Sequence, residues 1–197
     1  MKVKNATFVF SQDITDVSVG NFIANLVNWS QSHEGDPIQV ILNSGGGGVL
    51  AAIALYEFFG ELRENGHNVT IKVMGRAGSA AAIVLQAADE RVIAPNSDLL
   101  IHAVIPISQP AGTVEAQVRA ELDRSSSLTD RTFGILSRRS GGKLALKTIN
   151  SKTCGRSRDW WVNAKQCLAC GLVDRVEKPR PAGSVAQTES SSDEQES

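Results

Sequence analysis

The stretch VMGRAGSAAAIVL, residues 73–85, carries the clearest structural signal in the sequence. It continues an apolar, β-branched run at residues 70–74, passes through Gly75 and Gly78, and enters an alanine-rich segment that favours a helix. Ser79 is therefore predicted to lie at a corner between a strand and a helix, with its hydroxyl exposed. Partial positive charge gathers where a helix begins, which suits a nucleophile whose reaction develops negative charge.

A second glycine-rich segment, NSGGGG at residues 43–48, lies between a predicted buried strand at 38–42 and a predicted helix at 49–64. Backbone N–H groups at that helix start can hold a phosphate, a carboxylate or the oxyanion of an acyl-transfer intermediate. No Gly-Lys-Ser/Thr follows the glycines, and the run fits the dinucleotide fingerprint only loosely. An oxyanion role is therefore favoured over phosphate binding and over simple loop flexibility.

His102 is the candidate base among the three histidines of the chain. His33 and His67 lie in polar, turn-like segments and are predicted to be exposed to solvent. His102 instead ends the apolar run at residues 99–101, which places it at the edge of a buried strand. A lone histidine there is more often structural. The nearby serine corner favours a base, because imidazole titrates near neutral pH and can take the proton of a serine hydroxyl.

Asp159 is the candidate carboxylate. It comes just before Trp160, ahead of a predicted helix that extends through residues 163–170. Two roles are open for it: the N-terminal cap of that helix, or the partner that orients a histidine. The order serine, histidine, aspartate along the chain differs from the order in α/β-hydrolases, which argues against a lipase-like enzyme.

The composition is that of an ordinary globular domain. The chain has 197 residues, 42% of them hydrophobic, and a formal net charge of −1, so neither nucleic acid nor an acidic membrane surface is an expected partner. No apolar run reaches membrane-spanning length, and the start MKVKNATFVF has too short an apolar part for a secretory signal. We expect a cytoplasmic protein that needs no cofactor.

The three cysteines, Cys154, Cys167 and Cys170, are a poor disulfide framework because their number is odd. They could supply three thiolates to a zinc ion. However, a single Cys-x-x-Cys with no histidine close in sequence is a weak metal signal. Burial as small apolar side chains is the favoured prediction, and no metal site is expected.

Predicted strands and helices alternate along the chain, which indicates an α/β fold with a largely parallel sheet. The strands are expected at residues 7–10, 38–42, 69–74, 91–94 and 99–102, and the helices at 19–32, 49–64, 79–88 and 113–139. The last helix has an apolar stripe formed by Val114, Val118, Leu122, Leu128, Phe133 and Leu136. From residue 177 to 197 the composition becomes polar and acidic, which predicts a disordered tail.

Several segments, in order and with consistent spacing, resemble the proteolytic subunit of the Clp protease, the ClpP family of serine peptidases. They are LNSGGG (42–47), Leu55-Tyr56, MGRAGSAAA (74–82), APNSDLLIHA (94–103) and RDWWVNAKQCLACGLVD (158–174), and the likeness extends from about residue 7 to 176. The resemblance implies a ClpP/crotonase-like ββα superhelix as a head, with a long handle helix. It predicts one peptidase domain at residues 1–176, with the handle region at about 104–142.

The resemblance also assigns roles in a serine endopeptidase that hydrolyses unfolded proteins or peptides inside an oligomeric chamber. Ser79 matches the nucleophile, His102 the general base and Asp159 the acid that orients the histidine. The backbone N–H groups of Gly47 and Ala80 match the oxyanion hole. The family further implies homo-oligomeric rings, as a heptamer or a double heptamer joined by the handles, with residues 104–111 beside the substrate.

Three departures from the family pattern change what is expected. The first strand is reached almost at once, so the segment that helps to dock an AAA+ ATPase unfoldase is nearly absent, and that partnership is in doubt. Gly45 replaces the usual proline of the glycine loop, which should loosen it. Ala103 and Val104 replace the usual Gln-Pro after the histidine.

These departures suit a phage-type protease that matures capsid or scaffold proteins without an unfoldase. Two further classes of protein are compatible with the sequence: a crotonase-type acyl-CoA enzyme and a non-catalytic ring subunit. The crotonase type would share the fold and the paired oxyanion donors, but it would not need a serine aligned with a histidine. A structural subunit would not need any of the three catalytic side chains.

Overall fold

The computed structural model describes residues 6–106, 114–154 and 159–178. The strands in these ranges are β1 (Ala6–Phe10), β2 (Ile38–Ser44), β3 (Val69–Gly78), β4 (Glu90–Ile93), β5 (Asp98–Ile101), β6 (Trp160–Asn163) and β7 (Arg175–Val176). The helices are α1 (Asp16–Ser30), α2 (Val49–Glu64), α3 (Ala80–Leu85), α4 (Glu115–Arg139), α5 (Leu146–Thr153) and α6 (Ala164–Ala169). Strands and helices alternate in the first half of the chain, as the sequence predicts.

The described strands form one sheet, in which every pair is parallel except β5 with β6. Its main path runs β1, β2, β3, β4, β7. The first half of β3 pairs with β2 and β4, whereas its last residues, from Arg76 to Gly78, pair with β5. The predicted α/β fold class is confirmed. The change of neighbour along β3, from β4 to β5, places β5 beside the corner at Ser79.

Side chains alternate along the strands between a buried face and a more exposed face. In β2, Ile38, Val40 and Leu42 are buried while Gln39 and Ile41 are only partly covered. All six residues of α3 are buried, and this helix contacts both α2 and β3. The small alanines that begin α3 let it pack closely in the core, which fixes the corner that precedes it.

The segment around Asp159 differs from the prediction that this residue stands at the start of the helix through residues 163–170. Residues Trp160–Asn163 form strand β6, which pairs with β5, and the helix begins only at Ala164. Asn163 caps that helix by accepting a hydrogen bond from the N–H of Gln166 at 3.0 Å. Two tryptophans and a valine favour a strand when a partner strand is available. The alternative role of Asp159 as the helix cap is therefore wrong.

Other boundaries differ by a few residues, and two short elements, α5 and β7, were not predicted. Helix α1 begins three residues earlier than expected, because Thr15 and Ser18 form a capping box. Helix α4 begins at Glu115, and the predicted start at residue 113 lies outside the described residues. The predicted tail begins at residue 177. Glu177 is hydrogen-bonded to Lys72 and Ile93, and residues 179–197 lie outside the described part.

The prediction that His67 lies in a solvent loop is wrong. Its side chain is only 4% exposed, and its Nδ1 donates a hydrogen bond to the carbonyl of Asp36 at 2.8 Å. The rings of His67 and His33 both lie against Trp29, at centroid distances of 5.7 Å and 4.5 Å. An aromatic side chain on α1 covers these turn residues, a contact that local sequence does not show.

The cysteines are not grouped. Cys167 is buried, Cys170 is partly buried and Cys154 is exposed. Burial raises the pKa of the Cys167 thiol to about 12, so this side chain stays a neutral thiol at physiological pH. The described residues contain no set of three or more His, Cys, Asp or Glu side chains placed to hold a metal ion. Within the same ranges, no helix is long and apolar enough to cross a membrane.

Candidate active site

Ser79 occupies a strained corner between β3 and α3. Its backbone has φ 53° and ψ −120°, and it is the only non-glycine residue with positive φ in the described part of the chain. Such a conformation costs about 1–3 kcal/mol and persists only where the surroundings enforce it. Here the N–H of Ser79 donates to the carbonyl of Leu100 at 2.7 Å, and its carbonyl accepts from the N–H of Ala82 at 3.0 Å. The side chain is thereby turned out of the sheet at a fixed place.

The glycine loop lies directly against this corner. A Cβ atom at Gly46 would stand 2.6 Å from the Gly78 carbonyl oxygen and 2.8 Å from the Cβ of Ser79. A Cβ atom at Gly47 would overlap the carbonyl oxygen of Ile14. Gly46 and Gly47 also have positive φ, so only glycine fits both the space and the backbone. The run of glycines is therefore required for close packing on Ser79.

Ile14 holds the loop in place from the other side. Its N–H donates to the carbonyl of Gly46 at 2.8 Å, and its carbonyl accepts from the N–H of Gly48 at 2.8 Å. These two bonds leave out the N–H of Gly47. The N–H of Ala80, at the first residue of α3, is likewise outside the helical hydrogen bonds. Neither N–H is hydrogen-bonded to any residue that the structure describes, so both remain available as donors.

His102 follows β5 and lines the same cleft as Ser79. Ile83 of α3 and Thr132, Phe133 and Leu136 of α4 form other walls of this cleft. The Nδ1 of His102 lies 2.7 Å from the carbonyl oxygen of Ala103. Because a carbonyl can only accept, Nδ1 carries the proton, and in neutral imidazole Nε2 is then the basic nitrogen. Among the described residues, the Ser79 and His102 side chains are not hydrogen-bonded to each other. Both line the same cleft.

Asp159 is placed by the antiparallel pairing of β5 with β6. Ile101 pairs with Trp160, so continuing the register by one residue brings Asp159 opposite His102. The residue itself is exposed. Ala103, and not Asp159, accepts the Nδ1 hydrogen bond of His102. The backbone carbonyl thus already fixes the tautomer that a base at position 102 requires.

A larger groove adjoins the cleft and shares Val49 and Val104 with it. It has a volume of about 310 Å³ and lies between the glycine loop with the start of α2, residues 104–105, and α4. Its walls are mainly apolar. The N–H of Val104 donates to Thr129 Oγ1 at 2.9 Å, which ties the segment after His102 to α4. Residues 107–111 of the predicted substrate-side segment lie outside the described residues.

Sequence reasoning missed three contributors to this site: Ile14, the carbonyl of Ala103, and the face of α4 that closes the cleft. Ile14 and Ala103 act through backbone atoms, so no side-chain pattern indicates them. The apolar stripe of α4 did include Phe133 and Leu136, but periodicity alone does not say which element the stripe faces. Only the folded chain brings these residues next to Ser79.

The fold and site define an α/β protein with a serine at a strand-to-helix corner, a glycine loop packed on it and a histidine beside it. The family model of the Clp protease matches residues 2–180. The chain belongs to the Clp protease family, which confirms the resemblance seen in the sequence.

The sequence relatives of this chain are also Clp protease subunits. Proteins named ATP-dependent Clp protease proteolytic subunit 2 from Chlamydia trachomatis serovar D, Chlamydia muridarum and Chlamydia pneumoniae are each 26% identical to this chain over 179 residues. The alignment covers 88% of this chain and 81% of each relative. Family membership and these relatives imply a peptidase.

Proposed function

We propose that this protein is a serine endopeptidase that cleaves unfolded proteins or peptides, with Ser79 as the nucleophile. The observation that carries the proposal is the corner at Ser79, where a strained backbone presents the hydroxyl to a cleft that His102 also lines. Enzymes that use a serine need this combination of an exposed hydroxyl and a base within reach.

In the proposed mechanism, His102 Nε2 takes the proton of the Ser79 hydroxyl as the oxygen attacks the peptide carbonyl. The developing oxyanion accepts hydrogen bonds from the N–H groups of Gly47 and Ala80. The leaving amine receives the proton from His102, and water then hydrolyses the acyl-enzyme. Asp159, opposite His102, stabilises the imidazolium that forms in each half of the reaction.

The adjoining groove supports an unfolded chain as substrate. Its mainly apolar walls, which include Leu50, Ile105 and Leu128, suit apolar side chains that a folded protein would bury. The names of the relatives state ATP dependence for those proteins; for this chain the prediction of a protease that acts without an unfoldase stays a prediction.

A fluorophosphonate probe tests the nucleophile directly, because it forms a covalent bond only with an activated serine. We expect the wild-type protein to be labelled on Ser79, with labelling abolished in Ser79→Ala. Ser32→Ala, which removes an exposed serine elsewhere, should be labelled like wild type. Mass spectrometry of the labelled peptide gives the site. Labelling of another residue, or equal labelling of the Ser79 variant, would contradict the proposal, and turnover of acyl-CoA thioesters instead would favour a crotonase-type enzyme.

We further propose that copies of the chain assemble through the first half of α4 into the homo-oligomeric rings that the family implies. The side chains of Val114, Val118 and Leu122 are 63%, 38% and 53% exposed and follow one another at intervals of one helical turn. A single chain leaves this apolar stripe in water, and a contact with another copy would bury it. The relatives are named as subunits, which is consistent with such an assembly.

Charge placed on the stripe should therefore break the assembly. We expect Val118→Glu with Leu122→Glu to lower the mass measured by native mass spectrometry or light scattering to that of a smaller species. Gln117→Glu, which adds a single negative charge at an exposed neighbour outside the stripe, should keep the wild-type mass. An unchanged mass in the double variant, or a monomeric wild type, would show that this stripe does not hold copies together.

A further inference from the structure

Arg76 lies over the glycine loop in an unusual way. A Cβ atom at Gly45 would stand 3.0 Å from Nη2 of Arg76, 3.4 Å from Cζ and 3.7 Å from Nε. The planar guanidinium therefore fills the space that a side chain at residue 45 would occupy. Arg76 makes no ion pair with the residues that the structure describes, so pairing with a carboxylate does not account for its position.

The other side of Gly45 faces the corner that presents Ser79. A Cβ atom at Gly78 would stand 2.7 Å from the carbonyl oxygen of Gly45, and one at Gly46 would stand 2.8 Å from Cβ of Ser79. Residues 45–46 are thus enclosed between the Arg76 guanidinium and the backbone at residues 78–79. Any outward movement of Gly45 would have to displace the guanidinium first.

The main chain of Arg76 is tied to the beginning of the same loop. Its N–H donates to Asn43 Oδ1 at 3.3 Å, and the Nδ2 of Asn43 donates to Ser11 Oγ at 3.3 Å. The far end of the loop is fixed separately by the two hydrogen bonds to Ile14. Gly45 lies between these anchors, in a run of four glycines that is costly to order. Within the loop, the N–H of Gly46 donates to Ser44 Oγ at 3.2 Å, and the Arg76 guanidinium covers Gly45 itself.

We propose that Arg76 is a positioning residue that holds the glycine loop closed on Ser79 and so keeps the N–H of Gly47 aimed at the oxyanion. Its planar group packs on Gly45 as a side-chain lid, which an apolar or shorter side chain would do less well. The proposal rests on the proposed function, since the oxyanion role of Gly47 is part of it. Loss of the lid lets Gly47 sample positions where its N–H no longer meets the developing charge.

The kinetic test compares Arg76→Ala and Arg76→Lys with wild type on a neutral fluorogenic peptide. We expect Arg76→Ala to lower kcat by about 10- to 100-fold with little change in KM, because only the transition state needs a well-placed oxyanion donor. The rate of fluorophosphonate labelling should fall in parallel. Arg76→Lys should recover little, since lysine lacks the planar group, and Arg175→Ala, at an exposed arginine far along the chain, should behave like wild type. A raised KM for acidic peptides with unchanged labelling would overturn the proposal in favour of substrate binding.

A double-mutant cycle with Gly45→Ala tests the contact itself. The new Cβ would displace the flexible end of Arg76, so Gly45→Ala alone should lower kcat like Arg76→Ala. The double variant should be no worse than the single ones, because both changes remove the same contact. Losses that multiply would overturn the proposal.

Amide hydrogen exchange separates this proposal from the proposed function. Arg76→Ala should exchange about tenfold faster than wild type at Gly46 and Gly48, whose N–H groups are hydrogen-bonded to Ser44 Oγ and to the Ile14 carbonyl, whether or not the protein hydrolyses peptides. Unchanged exchange there would overturn the positioning role. A wild-type protein that resists the serine probe, with faster loop exchange in Arg76→Ala, would reject the peptidase and leave Arg76 as a residue that orders the loop.

Discussion

Replacing Ser79 by alanine is expected to lower the turnover of a fluorogenic peptide by at least about ten-thousand-fold, and His102→Ala should do the same. The two side chains act as one unit, because the hydroxyl attacks only when the imidazole takes its proton. The double variant should therefore be no slower than either single variant. Steady-state kinetics with the folded state checked by circular dichroism would measure this.

Asp159→Asn should cost less than either of these changes. The carbonyl of Ala103 already accepts the Nδ1 hydrogen bond and sets the tautomer of His102, so the carboxylate contributes mainly its charge to the imidazolium.

Multiplicative losses in the Ser79 and His102 double variant would show that the two do not act together. Residual activity of Ser79→Ala near the wild-type level would show that another group is the nucleophile.

Arg91→Leu is expected to destabilise the fold by about 3 kcal/mol, because it leaves the buried Gln86 side chain and two backbone carbonyls without their donor. The ion-pair partner Asp174 is 40% exposed, so its carboxylate stays hydrated. The Arg91 side chain is 7% exposed. Its Nε donates to Asp174 at 3.0 Å and its Nη1 donates to Gln86 Oε1 at 2.7 Å. Nη1 also reaches the carbonyl oxygens of Arg139 and Gly171, each at 3.0 Å. One guanidinium therefore joins the end of α4, the turn after α6 and the residue before β7.

Arg175→Leu is the matched control, because it breaks an arginine–carboxylate ion pair in which both side chains are open to solvent. Arg175 Nε lies 2.7 Å from Glu90 Oε1, and the two side chains are 50% and 42% exposed. Solvent screening limits such a pair to at most about 1 kcal/mol. Urea unfolding of both variants, followed by tryptophan fluorescence, should show a large loss only for Arg91→Leu. Equal losses of unfolding free energy in the two variants would mean that burial of the Arg91 guanidinium does not determine how much it stabilises the fold.

The same pair makes stability depend on pH. Burial by itself raises the pKa of Asp174, but the hydrogen bonds and charge of Arg91 outweigh this and hold the pKa below its usual value. The folded state thus favours the carboxylate. Its contribution is present above the unfolded pKa, about 3.9, and is lost as the pH falls through the lower folded pKa. Asp174→Asn should remove this acid-sensitive part of the unfolding free energy.

Much of the first half of the fold could be predicted, because its signals are local. Helix α2 has the predicted bounds, and the strand before Ser79 was expected where it lies. The structure of two other segments could not be predicted from local sequence. The run WWVN at residues 160–163 becomes a strand because β5 offers an antiparallel partner, and His67 is buried because Trp29 covers it. Both outcomes depend on residues far away in the chain.

The candidate site divides in the same way. Ser79, His102 and the glycine run are visible in sequence, because each stands at the end of an apolar segment where the chain must turn. Ile14, Ala103 and Arg76 contribute through backbone atoms or through a contact with a glycine. Backbone contacts leave no pattern of residue types, and the Arg76–Gly45 contact joins residues about 30 positions apart, so a single sequence does not reveal them.

The sequence by itself determined the alternation of strands and helices, the corner at Ser79 and the family to which the chain belongs. The alternation and the corner follow from hydrophobic periodicity and from the positions of the glycines, and the family follows from the resemblance of several motifs in order along the chain. Only the tertiary structure decided that the end of β3 pairs with β5, that Ala103 fixes the His102 tautomer, and that Arg76 covers Gly45. The physical reason is that these contacts join residues distant in the chain, and packing in three dimensions selects them.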